Sequence, residues 1–541
     1  MLFNSYIFIF LFFPLCLLGF YGLRKVNSTW AKIWLVGFSL WFYGYFNIRY
    51  LYIMIFSILL NYGAYRLMMR GNSVASAVKT DANVVDKRQI NPCIQPFLNP
   101  KIILITGVSL NLLLLFYFKY FDFFIENINV VFGSSFALQN ILLPLGISFF
   151  TFQQISFLAD TYRGELKECG FVDYALFVSF FPQLIAGPIV THDEMLPQFK
   201  EIGTKRFNED NFCRGLFIFV LGMGKKVLIA DTFGIAVDTG YGMLGELGSI
   251  DAVLIMLFYT LQLYFDFSGY CDMAIGIGKM LGIEITMNFN SPYKACNIID
   301  FWKRWHITLS RFFTKNIYIP LGGNRKGNAR MYANLFLVFF LSGLWHGAGW
   351  NYILWGVMHG VLYCVTRWMQ RHAKTRNPEK VSVSTMSEDE KHEDKKRVKT
   401  LLSKIGIAFT HTLKVIITFL YVNVAWVFFR SESITQAIDL FKRMFTGGIV
   451  LPSVTIAEAF NLDEFWYVLK VLHLTDFTYS KYILMVAFTI VILFVTFFGK
   501  NVQELAKKWK MSFASAVALA IVFVWCIVSL SGVSTFLYFN F

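Results

Sequence analysis

NLFLVFFLSGLWHGAGWNYILWGVMHG, residues 334–360, joins two apolar runs, 333–345 and 350–366, across Gly343, Gly347 and Gly349. A helix needs about 20 apolar residues, within a range of about 17–25, to cross the hydrocarbon of a bilayer. Non-helical backbone survives at that depth only inside protein or along a wet cavity. Short runs interrupted by glycine therefore point to a membrane segment that lines a pathway. Similar apolar runs occupy roughly 33–46, 50–67, 102–118, 141–158, 171–190, 213–230, 252–267, 405–429, 481–498 and 512–530. The run from Phe3 to Phe20 has no basic residue before it and no small-residue cleavage signature after it, so it reads as an uncleaved span. The pattern predicts an all-α polytopic membrane protein with about 10–12 transmembrane helices, supplemented by short re-entrant or interfacial helices.

Composition agrees. Of 541 residues, 56% are hydrophobic and 15% charged, and 60 Phe, 26 Tyr and 13 Trp bring the aromatic share to 18%. Those values exclude a soluble globular domain, a disordered chain and a fibrous repeat. The formal charge of +15 fits basic cytoplasmic loops rather than a nucleic-acid partner. Arg24, Lys25 and Lys32 fill the first loop, Arg49 stands alone in the second, and six basic residues crowd the third, which favours an outside N-terminus. The eight cysteines are scattered singly, without metal-type spacing, and read as small buried hydrophobes.

These features divide the chain into N-terminal spans and a loop over 1–140, a core over 141–367, a hydrophilic insertion over 368–404 and C-terminal spans with a tail over 405–541. Arg371 to Thr400 holds nine Lys/Arg and six Asp/Glu in 30 residues, with almost nothing apolar to bury, and is expected to be a disordered cytoplasmic loop. No internal repeat of the transporter kind is visible.

Ionisable groups in apolar stretches are costly to bury, so they mark candidate chemistry. His372 and His392 fall in the charged insertion and His192 and His473 in expected loops, leaving His306, His346, His359 and His411 near membrane segments. An apolar setting keeps a histidine neutral, the form that a general base requires, and His346 lies between Trp345 and Gly347. A plain hydrogen bond to a helix carbonyl would account for it equally well. WKRWHITLSRFFTKNIYIPLGGNRKG, residues 302–327, is too charged to span. At helical spacing Trp302, Trp305, His306 and Leu309 share one face and Arg304, Thr308 and Arg311 another, predicting an amphipathic helix at the interface. Its cations suit either lipid phosphates or an anionic donor such as a phosphopantetheine or nucleotide phosphate.

Asp266 and Asp272 stand in LQLYFDFSGYCDMAIGIGKMLGI, residues 261–283, where Gly269, Gly276 and Gly278 allow close helix packing. These carboxylates either accept hydrogen bonds structurally or orient a histidine or proton. The terminal STFLYFNF places Tyr538 seven residues beyond Ser531. At ~3.3–3.6 Å per residue an extended tail would carry that phenol about 23–25 Å, close to mid-bilayer depth, although an aromatic interface anchor explains it too.

Residues 302–327 and 334–360 together resemble the membrane-bound O-acyltransferase family, in particular its bacterial branch of alginate O-acetylation and D-alanyl transfer proteins. YFDFSGYCDMAIGIGKMLGI (264–283), SFFPQLIAGPI (179–189) and LGMGKKVLIAD (221–231) are similar to stretches of the same branch. The likeness runs discontinuously from about Pro144 to Gly360, with two histidine motifs 40 positions apart in the expected order, and resumes at the C-terminus.

The resemblance implies a ring of spans around a central funnel or tunnel, with His346 as the principal catalytic histidine and His306 as the second motif residue. It also implies that the FLYFNF ending makes Tyr538 an acyl carrier. Trp305, Arg304, Arg311, Asp266 and Asp272 become candidate donor or tunnel contacts. On this reading no cofactor is bound. A cytoplasmic thioester, acetyl-CoA or an acyl-carrier thioester, supplies an acetyl group, and an extracytoplasmic acetyltransferase partner passes it to a polysaccharide acceptor. The setting is a multi-pass protein of the bacterial inner membrane, in contact with membrane lipid. A proton-coupled transporter or exporter using Asp266, Asp272 and the histidines is the competing class, and a metalloenzyme with His306, His346 and His359 as ligands lacks a recognised spacing.

Overall fold

Asparagine and serine open many of the helices. Asn27, Asn99, Asn208, Asn297, Ser433 and Ser512 each accept a backbone N–H of the first turn, and Pro100 follows Asn99 where its missing N–H costs nothing. The computed structural model describes residues 1–80, 99–376, 393–461, 466–473, 477, 479–532, 536 and 537, and every regular element among them is helical. The all-α expectation holds.

Among the described residues six helical stretches are long and apolar enough to cross a membrane: Phe8–Val26, Ile48–Gly71, Pro100–Phe132, Ser249–Met280, Ala408–Arg430 and Ser480–Phe498. Phe513–Val528 is a shorter apolar helix. Several other predicted spans are shorter or broken among the described residues. The run at 171–190 splits into Phe171–Ser179 and Phe181–Leu184 around Phe180, with Pro182 in the second piece. The run at 213–230 continues from Glu209–Gly224 into a π-helical stretch, Lys225–Ala230, that brings two lysines with it. Of the hydrophilic insertion, 377–392 lies outside the described residues, while its flanks extend the helices Trp350–Arg376 and Glu393–Arg430. Cys16, Cys169, Cys271 and Cys526 are buried as expected, and Cys213, Cys296 and Cys364 are partly exposed.

The chain forms two compact units. The first comprises Met1–Asp231, Tyr264–Met287 and Val502–Phe541. Its core is aromatic: Phe181 meets Phe12 and Phe42 at ring separations of 5.3 and 5.5 Å. A polar layer joins three of its helices, with Asn111 donating to Asn61 at 2.7 Å and Ser57 to Gln154 at 2.9 Å. In apolar surroundings such side-chain bonds hold helices together where hydrophobicity cannot. Gly222 faces Gly269 and Gly215 faces Gly276; a Cβ on Gly222 would lie 2.8 Å from the Gly269 carbonyl oxygen, so these helices touch backbone to backbone as the glycine spacing predicted.

The second unit comprises Thr232–Leu263 and Asn288–Asn501. Its central pair is Asn328–His346 against Trp350–Arg376, crossing at Gly343 and Gly356, where a Cβ on either would fall 3.0 Å from the other's Cα. Gly343 therefore packs the helix rather than breaking it. The chain turns at 347–349, and a side chain at Gly347 would overlap the ring of Tyr352.

Candidate active site

The single amphipathic helix expected across 302–311 does not form. Ile298–Trp302, capped by Asn297, ends in a turn, and Ile307–Phe313 starts anew with His306 in the left-handed region at φ 45°, ψ 54°. A non-glycine residue there is strained by about 1–3 kcal/mol and persists only when its surroundings hold it. Asn288 does so. Its side-chain oxygen is 3.2 Å from His306 Nδ1, and it accepts from the Thr308 N–H at 3.2 Å and the Thr308 hydroxyl at 2.9 Å. Its main-chain oxygen accepts from the Ile307 N–H at 3.0 Å.

Because the Thr308 N–H can only donate, the Asn288 atom in this cluster is the carbonyl oxygen, and His306 Nδ1 must also donate to it. That assigns the proton to Nδ1 and leaves the lone pair on Nε2. Burial, complete at this residue, lowers the imidazole to about 3, well below its ordinary value, so the ring is neutral.

His346 is the last residue of Asn328–His346 and is buried at 4% exposure. Its ring centroid is 6.5 Å from that of His306, with Trp345 at 4.9 Å, Trp355 at 5.1 Å and Phe429 at 5.1 Å around it. The structure thus brings together two histidines that are 40 residues apart in sequence, inside an aromatic wall. His359 belongs to the wall itself: Trp302 Nε1 donates to its Nδ1 at 3.4 Å, and Trp355 packs 4.8 Å away.

A cavity of about 840 Å³ adjoins this wall, lined by residues of the helices that end in His346 and begin after His306. Trp302, Leu309, Phe313, Leu335 and Phe339 give it an apolar lining, and Lys303, Arg311, Lys315 and Arg367 supply cations. Of the motif residues singled out as donor contacts, Arg311 lines the cavity. Arg304 is instead committed to Asp300 at 3.0 Å, and Trp305 packs among Phe301, Phe289 and Trp426.

Asp266 and Asp272 lie in the first unit, each in an ion pair. Lys226 is 2.7 Å from Asp266, and Lys225 is 2.7 Å from Asp272. Sequence reasoning passed over both lysines, although cations in the apolar run 213–230 were a visible signal. It also misplaced His192, which opens the helix His192–Lys200, is buried, and meets the fully buried Asp160 at 3.1 Å. The buried carboxylate of Asp160, supplied by the fold, is its partner there. Tyr538 lies outside the described residues.

Two neighbouring buried histidines in an aromatic wall thus stand beside a cavity that carries four cations, in a chain whose described residues include six helices long and apolar enough to cross a membrane. The family model for MBOAT, the membrane-bound O-acyltransferase family, matches residues 97–382, which include His306, His346 and the whole cavity lining. The peptidoglycan O-acetyltransferase of Helicobacter pylori is 38% identical over 575 aligned positions, covering 100% of this chain and 98% of that protein. A protein named "Probable alginate O-acetylase AlgI" from Pseudomonas aeruginosa is 36% identical, covering 83% of this chain and 75% of its own length. The teichoic acid D-alanyltransferase of Bacillus subtilis is 32% identical over 41% of this chain and 59% of its own. The chain belongs to the membrane-bound O-acyltransferase family and is an O-acyltransferase.

Proposed function

We propose that this protein takes an acetyl group from a cytoplasmic thioester and delivers it for O-acetylation of an extracytoplasmic polysaccharide in the bacterial cell envelope, with peptidoglycan as the acceptor polymer. The observation that carries the reading is the buried pair His306 and His346 at 6.5 Å, beside a cavity whose cations suit a phosphate-bearing thioester and whose apolar lining suits its arm. The full-length likeness to a peptidoglycan O-acetyltransferase favours that polymer over alginate or teichoic acid.

His346 acts as the base. It removes the proton from an acceptor hydroxyl as the oxygen attacks the thioester carbonyl; the new C–O bond forms, the C–S bond breaks, and the proton passes to the departing thiolate. His306, with its lone pair on Nε2, accepts a hydrogen bond and so orients a hydroxyl; a ring in that tautomer has no N–H at Nε2 to offer a developing oxyanion. Tyr538 is the acceptor hydroxyl in the first transfer and an acyl carrier thereafter. A partner acetyltransferase outside the inner membrane completes delivery to the polymer. The donor is acetyl-CoA or an acyl-carrier thioester, and Arg311 is its first contact in the cavity.

The test is base-labile acetate on purified peptidoglycan from cells lacking the gene and complemented with the parent or His346→Ala. The parent should restore acetate and His346→Ala should leave it at least a hundredfold lower, the scale of a lost general base, about 10²–10⁴. Restoration by His346→Ala at matched membrane levels would contradict the assignment.

A further inference from the structure

The first unit holds a buried charge network that the histidine chemistry leaves aside. Lys226 is 1% exposed, with its Nζ 2.6 Å from Asp231 and 2.7 Å from Asp266. Both carboxylates are buried. Such a cluster is expensive to desolvate, and replacing buried ion pairs by apolar residues is often neutral or stabilising, so its presence calls for a task beyond stability.

Phe536 and Leu537 rest on this cluster. Asp266 Oδ2 accepts the backbone N–H of Leu537 at 3.1 Å, and Lys226 Nζ stands 4.8 Å from the centroid of the Phe536 ring. Phe536 is itself buried and meets Tyr270 edge to face at 4.7 Å, and Tyr270 stacks on Phe3 at 4.8 Å. One side chain thus takes a backbone donor, a second takes the face of a ring, and an aromatic column takes its edge.

These contacts differ in what they specify. Ring packing alone tolerates slippage along an apolar tail. A carboxylate that bonds one particular amide, while the cation next to it faces the ring of the preceding residue, admits a single register. The residue that follows Leu537 is Tyr538, one Cα step of about 3.8 Å further on. Ordering a chain end opposes about 1–2 kcal/mol of entropy per residue, and a charge-assisted hydrogen bond with a desolvated cation–π contact is of the size needed to offset it.

We infer that the Lys226–Asp231–Asp266 network is a binding seat for the C-terminal segment at Phe536 and Leu537, in which Asp266 and Lys226 act as positioning residues for the acyl-carrier reading of Tyr538. The positioning role rests on the reading of Tyr538 as acyl carrier; the seat itself does not.

The experiment uses the full-length protein in lipid nanodiscs. Carboxypeptidase treatment followed by intact mass measures how fast residues 537 and 536 are lost, and acetyl transfer from acetyl-CoA is measured on the same samples. Asp266→Asn keeps the side-chain volume but cannot serve both Lys226 and the Leu537 N–H. Phe536→Ala leaves every buried charge in place and guards against failure to fold. Both variants should lose residues 536–537 at least tenfold faster than the parent, with transfer down at least tenfold in kcat and the KM for acetyl-CoA unchanged. Phe536→Tyr should restore both. Tyr538→Phe separates the two ideas: it should abolish transfer while digestion stays at the parental rate. Parental digestion rates in Asp266→Asn and Phe536→Ala would overturn the seat. Faster digestion with parental transfer would overturn the positioning role, and parental transfer by Tyr538→Phe would overturn the carrier reading instead.

Discussion

At the residue scale the site depends on one strained backbone position and the asparagine that stabilises it. Asn288 serves four donors from the 306–308 segment, two of which are the His306 ring and the Thr308 hydroxyl. Asn288→Ala would leave the buried Thr308 donors and the His306 N–H without their acceptor, a change of about 1–3 kcal/mol per group. The expected result is a protein less stable by a few kcal/mol, read by thermal unfolding in detergent, with acetyl transfer reduced more than tenfold because His306 is free to change tautomer. Burial of His306 has a pH signature as well. Its folded value of about 3 lies below the ordinary 6.5, so below 6.5 the unfolded chain takes up a proton that the folded one does not. The contribution is intact above pH 6.5 and falls away as pH drops from 6.5 toward 3, by up to about 1.4 kcal/mol per unit. Comparing parent with His306→Gln at pH 7.5 and pH 5.0, the parent should lose about 2 kcal/mol more stability on acidification; equal losses would show that His306 is protonated in the folded protein. Neither consequence was readable beforehand. The motif marks His306, but nothing in the stretch MNFNSPYK, residues 287–294, distinguishes Asn288 from any loop asparagine, and its partners meet only when the chain folds back.

At the element scale, helix packing turns on where glycine backbones touch. Gly343 and Gly356 stand Cα against backbone, whereas a Cβ at Gly63 would meet nothing within 4 Å. Gly343→Leu should therefore force the two central helices apart and destabilise by about 1–3 kcal/mol or more, as overpacking does. Gly63→Ala should be neutral or stabilising by up to about 1 kcal/mol, the helix-propensity difference. Thermal unfolding of both variants checks the contrast, and equal shifts would contradict the packing. The sequence made Gly269 and Gly276 legible as packing glycines because a regular spacing in a long apolar helix leaves them little else to do. It misled at Gly343, since a glycine three residues before a histidine and four before another glycine looks like part of a break. Only the partner helix, with Gly356 opposite, distinguishes a contact from an interruption. The same blindness applies at 302–311, where helical periodicity is real in the letters and is overruled by Asn288.

At the scale of the whole molecule, composition alone made the class legible: aromatic, apolar and basic in the proportions of a polytopic membrane protein. The count of spans was harder, because apolar runs that split at Phe180 or pass into a π-helical stretch at Lys225 read as continuous from hydropathy. The ion-pair partners of the two carboxylates in 261–283 were also invisible. Asp266 and Asp272, read from the sequence either as structural hydrogen-bond acceptors or as groups that orient a histidine or proton, pair with Lys226 and Lys225, and Asp266 also accepts the Leu537 N–H. The match to the membrane-bound O-acyltransferase family model spans residues 97–382 and so includes His346, the residue proposed as the base.

That claim is tested most directly by following radiolabel from acetyl-CoA onto the purified protein in lipid, comparing the parent, His346→Ala and Tyr538→Phe at matched loading. Label should be retained on the parent and lost from both variants. Label retained on His346→Ala at the parental level would contradict it.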